Sequence, residues 1–285
     1  MTLAATSRAT ASGRGRRLPF SVVASAAVIV MMAFFALFGT TVAPDDRQRL
    51  DLMSAAEPPS AAHLLGTDQL GRDVLSRAIA GARTPLVGAL AIALGVAVLG
   101  SLLGIPAGYF GGLLDTLMMR WVDLMISFPS LLAAIVLASL LGTSPALSVC
   151  ILILFATPYE VRMMRGLALE QRNLPYVEAA RTAGLPAPRI MARHIWPNTI
   201  AILVTDAFLN FALGLVGLTT LSFLGLGLPL GTPDWGRMIF ESREIIYDNP
   251  LAAVAPALLV SLTAASAAIL GDACFERFSS KGRAG

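Results

Sequence analysis

The sequence predicts an all-α polytopic membrane protein with six transmembrane helices. Two observations carry this reading. Of the 285 residues, 56% are hydrophobic and only 14% charged, with mean hydropathy +0.73, whereas soluble domains carry about 25% charged residues. The apolar residues also fall into charge-free runs, each long enough for a span of about 20 residues. Such a composition excludes a soluble enzyme, a disordered regulator and a nucleic-acid binder. The net charge of +3 reads as arginine on cytoplasmic loops.

Charges bound the spans in order. Residues 1–17 form a basic tail ending in Arg14, Arg16 and Arg17. No charge follows until Asp45, so 18–42 is span one. Its apolar run exceeds the roughly 7–15 residues of a signal-peptide core, so it is expected to stay as an anchor. Residues 43–84 form an outer segment. Residues 85–272 then hold five further helices. Span two is about 85–109, free of charge between Arg83 and Asp115. The uncharged stretch 124–159 is too long for one helix, and Gly142-Thr143-Ser144-Pro145 breaks it. It divides into a short span three, about 125–141, and span four, about 146–164. Span five, about 199–228, is interrupted only by Asp206, the one charge expected at membrane depth. Span six is 251–271, and 273–285 is a tail. Two cysteines, Cys150 and Cys274, sit in apolar runs and read as packing residues, and two histidines are too few for a metal cluster.

With both termini cytoplasmic, the inner side holds 14 arginines and lysines and the outer side 7, together the 21 of the chain. This asymmetry favours the inside-terminus orientation. In the outer segment, Leu70, Val74 and Leu75 recur at helical spacing with Asp and Arg on other faces, which predicts an amphipathic helix lying at the interface. In the loop at 233–250, Trp235 and Tyr247 suit the interfacial aromatic belt.

The cytoplasmic stretch 166–198 carries the clearest local grammar. Asn173 can cap a helix and Pro175 fits its first turn. Residues 176–183 give two turns. Gly184 suits the left-handed position after a helix end, and Pro186 prevents continuation. Pro188 can open a second helix reaching Trp196. Small residues at Ala179, Ala180 and Ala183 would let a partner approach closely.

At these residues the chain resembles a known family. Glu178-Ala179-Ala180, Gly184 and Trp196-Pro197 are similar to the EAA loop of ATP-binding-cassette importer permeases, with Trp196 in place of the usual Leu. Arg193-His194-Ile195-Trp196-Pro197-Asn198 looks like the variant of dipeptide, oligopeptide and nickel permeases. His63, Gly66-Thr67-Asp68, Gly71-Arg72-Asp73 and Ser76-Arg77 resemble the outer signature of their C-type subunit. Gly108-Tyr109-Phe110-Gly111-Gly112 with Asp115, Arg120 and Asp123 extends the match. So does Leu221-Ser222-Phe223-Leu224-Gly225-Leu226-Gly227 with Trp235-Gly236. Relatives often carry a Glu four residues before that Ser; here the place is Leu218.

The resemblance implies a pore subunit of the bacterial cytoplasmic membrane. Its implied partners are a homologous B-type permease subunit, two cytoplasmic ATPase subunits and an extracytoplasmic substrate-binding protein. Glu178, Ala179, Ala180 and Gly184 would couple it to an ATPase. It implies a short peptide as cargo, with nickel or other small solutes as the alternative. No GxxxxGK[ST] pattern occurs, and the single lysine, Lys281, lies in the tail. No cofactor is expected in this chain, and ATP and Mg would be bound by partners. GxSxG and HExxH are absent, so enzymatic activity is not expected. A secondary transporter would show paired ionisable groups at mid-membrane and repeated halves. Asp206 is assigned to the pore or to an inter-subunit contact, because a carboxylate facing lipid costs a few kcal/mol.

Topology is directly testable. Reporters active only outside the membrane should work when fused after Ser60 or Asp234 and fail after Asn173 or Lys281. An outside signal at Asn173 overturns the orientation.

Overall fold

The computed structural model describes residues 19–43, 51–142, 144–227 and 232–282, with side chains as far as 277. The basic tail 1–17, Thr143 in the expected break and the expected end of span five at residue 228 lie outside the described residues. All regular structure among the described residues is helical, apart from one isolated bridge between Thr67 and Asp73.

Five stretches are long and apolar enough to cross a membrane. They contain α1 (Phe20–Val42), α3 (Arg83–Phe110), α6 (Pro145–Gln171), α9 (Trp196–Phe223) and α11 (Leu251–Gly282). A short α2 (Val74–Ala80) precedes α3. These helices overlap the runs expected as spans one, two, four, five and six.

Span three is a correction. In place of one helix over 125–141, the chain forms α4 (Gly112–Ile126) and α5 (Ser130–Leu141), bent by 82° at a short break. Pro129 stands just before α5 and cannot donate a helical hydrogen bond, and the residue before it is steered away from helical backbone. At 12 residues, α5 is about 18 Å long, less than the roughly 30 Å hydrocarbon core. Only the bent pair together is long and apolar enough to make a sixth crossing.

The tightest contact in the bundle joins α3 to α6. Gly100, Gly104 and Gly108 line one face of α3 at four-residue intervals. A Cβ added at Gly104 would sit 2.6 Å from the Val161 carbonyl oxygen, and one at Gly108 would sit 2.6 Å from that of Arg165. Only hydrogen at these positions lets the backbones meet. In lipid, where burial of apolar surface gives no drive, such close dispersion contact is what holds helices together. On the other side of α3, α9 approaches through Gly214 against Ile92. The α9–α11 contact uses Gly271 against Thr205 and Phe208. Beside these, α1 packs through Met32, buried with Leu86, Leu215, Trp235 and Val260.

Gly104→Val should cost about 3 kcal/mol by overpacking, read as a lower melting temperature of the detergent-solubilised protein. At Gly166, an added Cβ meets nothing within 4 Å, and Gly166→Ala should change stability by no more than about 1 kcal/mol. Equal melting of Gly104→Val and wild type would show that the glycine row is dispensable.

Candidate functional site

The loop between α6 and α9 folds as a short helix between two long ones. α7 (Pro175–Thr182) starts with Pro175 in its first turn, after Leu174 in extended backbone. Asn173 does not cap it; its amide donates back to the Leu169 carbonyl of α6 at 3.3 Å. The C-terminal end follows the sequence. Gly184 has φ +76°, the Leu185 N–H donates to Ala180 O, and the Gly184 N–H donates to Arg181 O. That is the paired closure of a helix by a left-handed glycine, and Leu185 folds back on the apolar cluster beneath.

This cluster orients α7. Val177 and Ala180 are buried with Ile105, Met164, Ala168, Ile190, Ile195 and Leu203. Ala180, expected on the side a partner would approach, is 7% exposed and faces the chain's own core. Helical periodicity forces the division, since Val177 and Ala180 share one face. Glu178, Ala179, Thr182 and Ala183 form the exposed side. Among the described residues the Glu178 carboxylate has no hydrogen-bond or ion-pair partner.

Two aromatic contacts fix the height of α7. The Arg181 guanidinium lies 5.5 Å from the ring centroid of Tyr109, at the end of α3. Tyr176 donates its hydroxyl to Gln171 Oε1 and accepts from the Asn198 amide at 3.3 Å. Burial raises the Tyr176 hydroxyl above its ordinary pKa, opposed by the Asn198 hydrogen bond.

The second helix does not end at Trp196. α8 (Ala187–Ile190) passes through a π-turn at Met191–Ile195 straight into α9, giving one stretch from Ala187 to Phe223. Pro197 has no N–H to bond Arg193 O, and the Trp196 N–H reaches instead to Met191 O.

Behind the loop, α4 is tied to α6 by charge. Arg165 forks onto both carboxylate oxygens of Asp115, with Nη2 at 2.7 Å, and Arg162 pairs with Asp123. Arg172 donates to the Gly108 carbonyl at 2.9 Å.

Deeper in the bundle, Asp206 is half-buried and accepts from the Asn210 amide at 2.8 Å. It is not the only deep charge. Glu160, 2% exposed within α6, accepts from the same amide at 3.0 Å. Charge-bounded runs miss its depth because it closes the uncharged stretch, one turn before the expected span end at 164, while α6 continues to Gln171.

The outer segment is also a correction. It packs over the bundle, and among its described residues Val74–Ala80 is the α-helix that precedes α3, with a 3-10 turn at Leu52–Ser54 before it. Its charges turn inward. Arg72 Nε lies 2.7 Å from Asp68, and both Arg72 and Arg77 reach Glu241 Oε2 at 2.9 Å. Arg77 also pairs with Asp68, and Arg237 bonds Glu241 Oε1 at 3.2 Å. Asp73 caps α2 and lies 3.1 Å from His63 Nδ1. Glu241 and Arg237 belong to α10 (Trp235–Glu241), in the loop before α11. Trp235 does not sit in an aromatic belt: it is fully buried, donating its indole N–H to the Ala78 carbonyl at 2.8 Å. Tyr247, by contrast, is 97% exposed.

A cavity of about 700 Å³ opens between the outer ends of α3, α6 and α9, lined by residues including Arg83, Val87, Leu218, Ser222 and Asp234. Cys150 is exposed on its wall and does not serve as a packing residue. Burial raises the Asp234 carboxyl above its usual range, against hydrogen bonds from Ser222 and the Gly236 and Arg237 N–H groups.

The chain is a bundle of long apolar helices with a short helix seated against one end and a packed segment across the other. Residues 100–280 match the family of binding-protein-dependent transport system inner membrane components. The chain is 34% identical over 250 residues to the probable D,D-dipeptide transport system permease protein DdpC of Escherichia coli K12, covering 88% of this chain and 84% of that one. It is 35% identical over 261 residues to the glutathione permease GsiD of Escherichia coli O6:K15:H31, covering 91% and 86%. To the dipeptide permease DppC of Alkalihalophilus pseudofirmus it is 32% identical over 246 residues, covering 86% and 81%. The chain belongs to the family of binding-protein-dependent transport inner membrane components. It is a multi-pass permease subunit of an ATP-driven importer.

Glu241→Gln should destabilise the protein by about 3–5 kcal/mol, because buried arginines lose their counter-charge. Arg243→Ala, at an exposed pair 3.9 Å from Glu244, should cost under about 1 kcal/mol. Thermal melts of both variants check this, and a wild-type melt for Glu241→Gln would show the network to be idle.

Proposed function

We propose that this permease subunit moves short peptides inward across the bacterial cytoplasmic membrane, with both termini cytoplasmic. The similarity to dipeptide and glutathione permeases supports peptide cargo. Its partners in this reading are a homologous B-type permease subunit, two ATPase subunits that bind ATP and Mg, and an extracytoplasmic binding protein that delivers the peptide.

The observation that carries the mechanism is the two-faced α7. Its inner face is buried in the chain's own core, and its outer face offers an unpaired carboxylate among small residues. Glu178 and Ala179 are the docking surface in this reading, and Gly184 holds the helix at its angle. Ala180 serves as the anchor. A two-turn helix is not stable alone; it moves with whatever holds both faces. ATPase closure would shift α7, and the buried side would pass that shift to α3, α6 and α9. This alternates the pore between outward- and inward-facing states.

Ala179→Trp should block ATPase docking sterically while leaving the spans intact. Gly184→Val should strain the turn by roughly 1–3 kcal/mol at its positive φ and uncouple ATP hydrolysis from substrate. Both are measured as ATPase association and peptide uptake in reconstituted vesicles. Wild-type association and uptake in both variants would show that this loop is not the coupling element.

A further inference from the structure

Glu160 takes no part in the coupling mechanism, yet the fold makes room for it. A Cβ at Gly100 would overlap its Cγ, so the glycine row of α3 opens the space the carboxyl fills. Asn210 donates to Oε2, while Oε1 is buried without a hydrogen-bond partner. Asp206, one turn before Asn210, shares the same amide nitrogen. Two acids from α6 and α9 thus converge on one neutral donor, with Asp206 in front and Glu160 behind it.

The surroundings supply little positive charge. Across from Glu160, α3 has no ionisable residue between Arg83 and Tyr109, and Asp206 is the only ionisable residue of α9. On α6 the flanking groups are Tyr159 and Arg162, and Arg162 is engaged by Asp123. On α11, Gly271 abuts Thr205 and Phe208, and the next residue is the exposed acid Asp272; Arg277 lies more than a turn further along. Two ionised carboxylates inside a bilayer are costly without a cation between them.

We propose that the Glu160–Asn210–Asp206 cluster is a cation site on the translocation path, closed at rest by one proton shared between the carboxyls and taking the protonated α-amino group of a passing peptide. With one proton the pair carries a single negative charge, matched to one ammonium. The ammonium offers three donors, and Asp206 and the free Glu160 Oε1 are acceptors within the cluster. The amino-group assignment rests on the peptide-importer reading above; the proton does not.

Two measurements test it on the whole complex with its binding protein. In proteoliposomes, Asp206→Asn should raise the KM for a free-amino dipeptide about tenfold, equivalent to roughly 1.4 kcal/mol, with kcat little changed, and Asp206→Glu should restore it. Wild-type KM in both Asp206→Asn and Glu160→Gln overturns the amino-group site. Loss of assembly in both Asp206 variants makes the cluster a structural contact and also overturns it. Infrared spectra of the substrate-free complex at neutral pH should show a protonated carboxyl band that Glu160→Gln removes. No such band in wild type overturns the site whatever the cargo. A wild-type complex that shows the band but imports no peptide refutes the peptide reading and its amino-group assignment, and leaves the proton site standing.

Discussion

The backbone contact between α3 and α6 is the constraint from which the rest of the bundle hangs. Gly100, Gly104 and Gly108 remove every side-chain atom from one stripe of α3. The helices then meet along backbone and β-carbons, with Val161 O, Arg165 O and the Ala168 Cβ against the glycines. Apolar burial gives no drive between helices in lipid, so this dense dispersion contact stands in for a soluble core. It also fixes relative height. At the inner end, Arg172 can reach the Gly108 carbonyl because the two helices are already in register there. At the outer end, Gly88 of α3 faces Leu218 of α9 and Val149 of α6, and the three helices splay into the cavity.

Each end of this pair is finished by a different kind of interaction. Outside, buried arginines and carboxylates join the segment before α3 to the loop before α11. Such a network adds little net stability against apolar packing, yet losing one partner is expensive, so it acts as a registry device. At the other end the α7 seat is apolar, with Val177, Ala180 and Leu185 on the ends of α3, α6 and α9, beside the Arg172–Gly108 and Arg165–Asp115 contacts. A charged clamp resists sliding, whereas an apolar seat with a cation–π contact can tilt at low cost.

The spans were legible because charge is rare and its absence is informative. The Gly184 turn was legible because a left-handed residue with proline two positions later has one common use. The errors share a physical cause. Sequence rules assign charge to water and aromatics to the interface. Arg72, Arg77, Glu241 and Trp235 break those rules because they satisfy one another or a backbone carbonyl inside protein. The depth of Glu160 is not legible because it lies in the last turn of the expected span 146–164, whereas α6 runs on to Gln171. The four-residue spacing of Gly100, Gly104 and Gly108 was the available signal that something on α6 had to come close. The burial of Ala180 is not legible from its size, because a small residue fits both a docking face and a tight core, and the neighbouring Val177 decides the face. The break between α4 and α5 was written in Phe128-Pro129, inside a run read for hydropathy alone.

One continuous element links the two finished ends. From Ala187 to Phe223 the chain runs as 37 helical residues, about 55 Å at 1.5 Å per residue. Its start carries Ile190 and Ile195 in the seat of α7. Its middle carries Asp206 and Asn210 beside Glu160. Its end closes at Gly225, φ +80°, with the Leu226 N–H returned to Leu221 O. There Ser222 bonds Asp234, which caps α10 and lines the cavity. The π-turn at Met191–Ile195 is the one irregular step along this length, and Pro197 causes it by withholding a donor. The π-turn therefore marks where the rod departs from regular α-helix, next to the seat of α7. The π-turn lies between the seat of α7 and Asp206, so the polar cluster and the cavity wall share the uninterrupted α-helical part of this element.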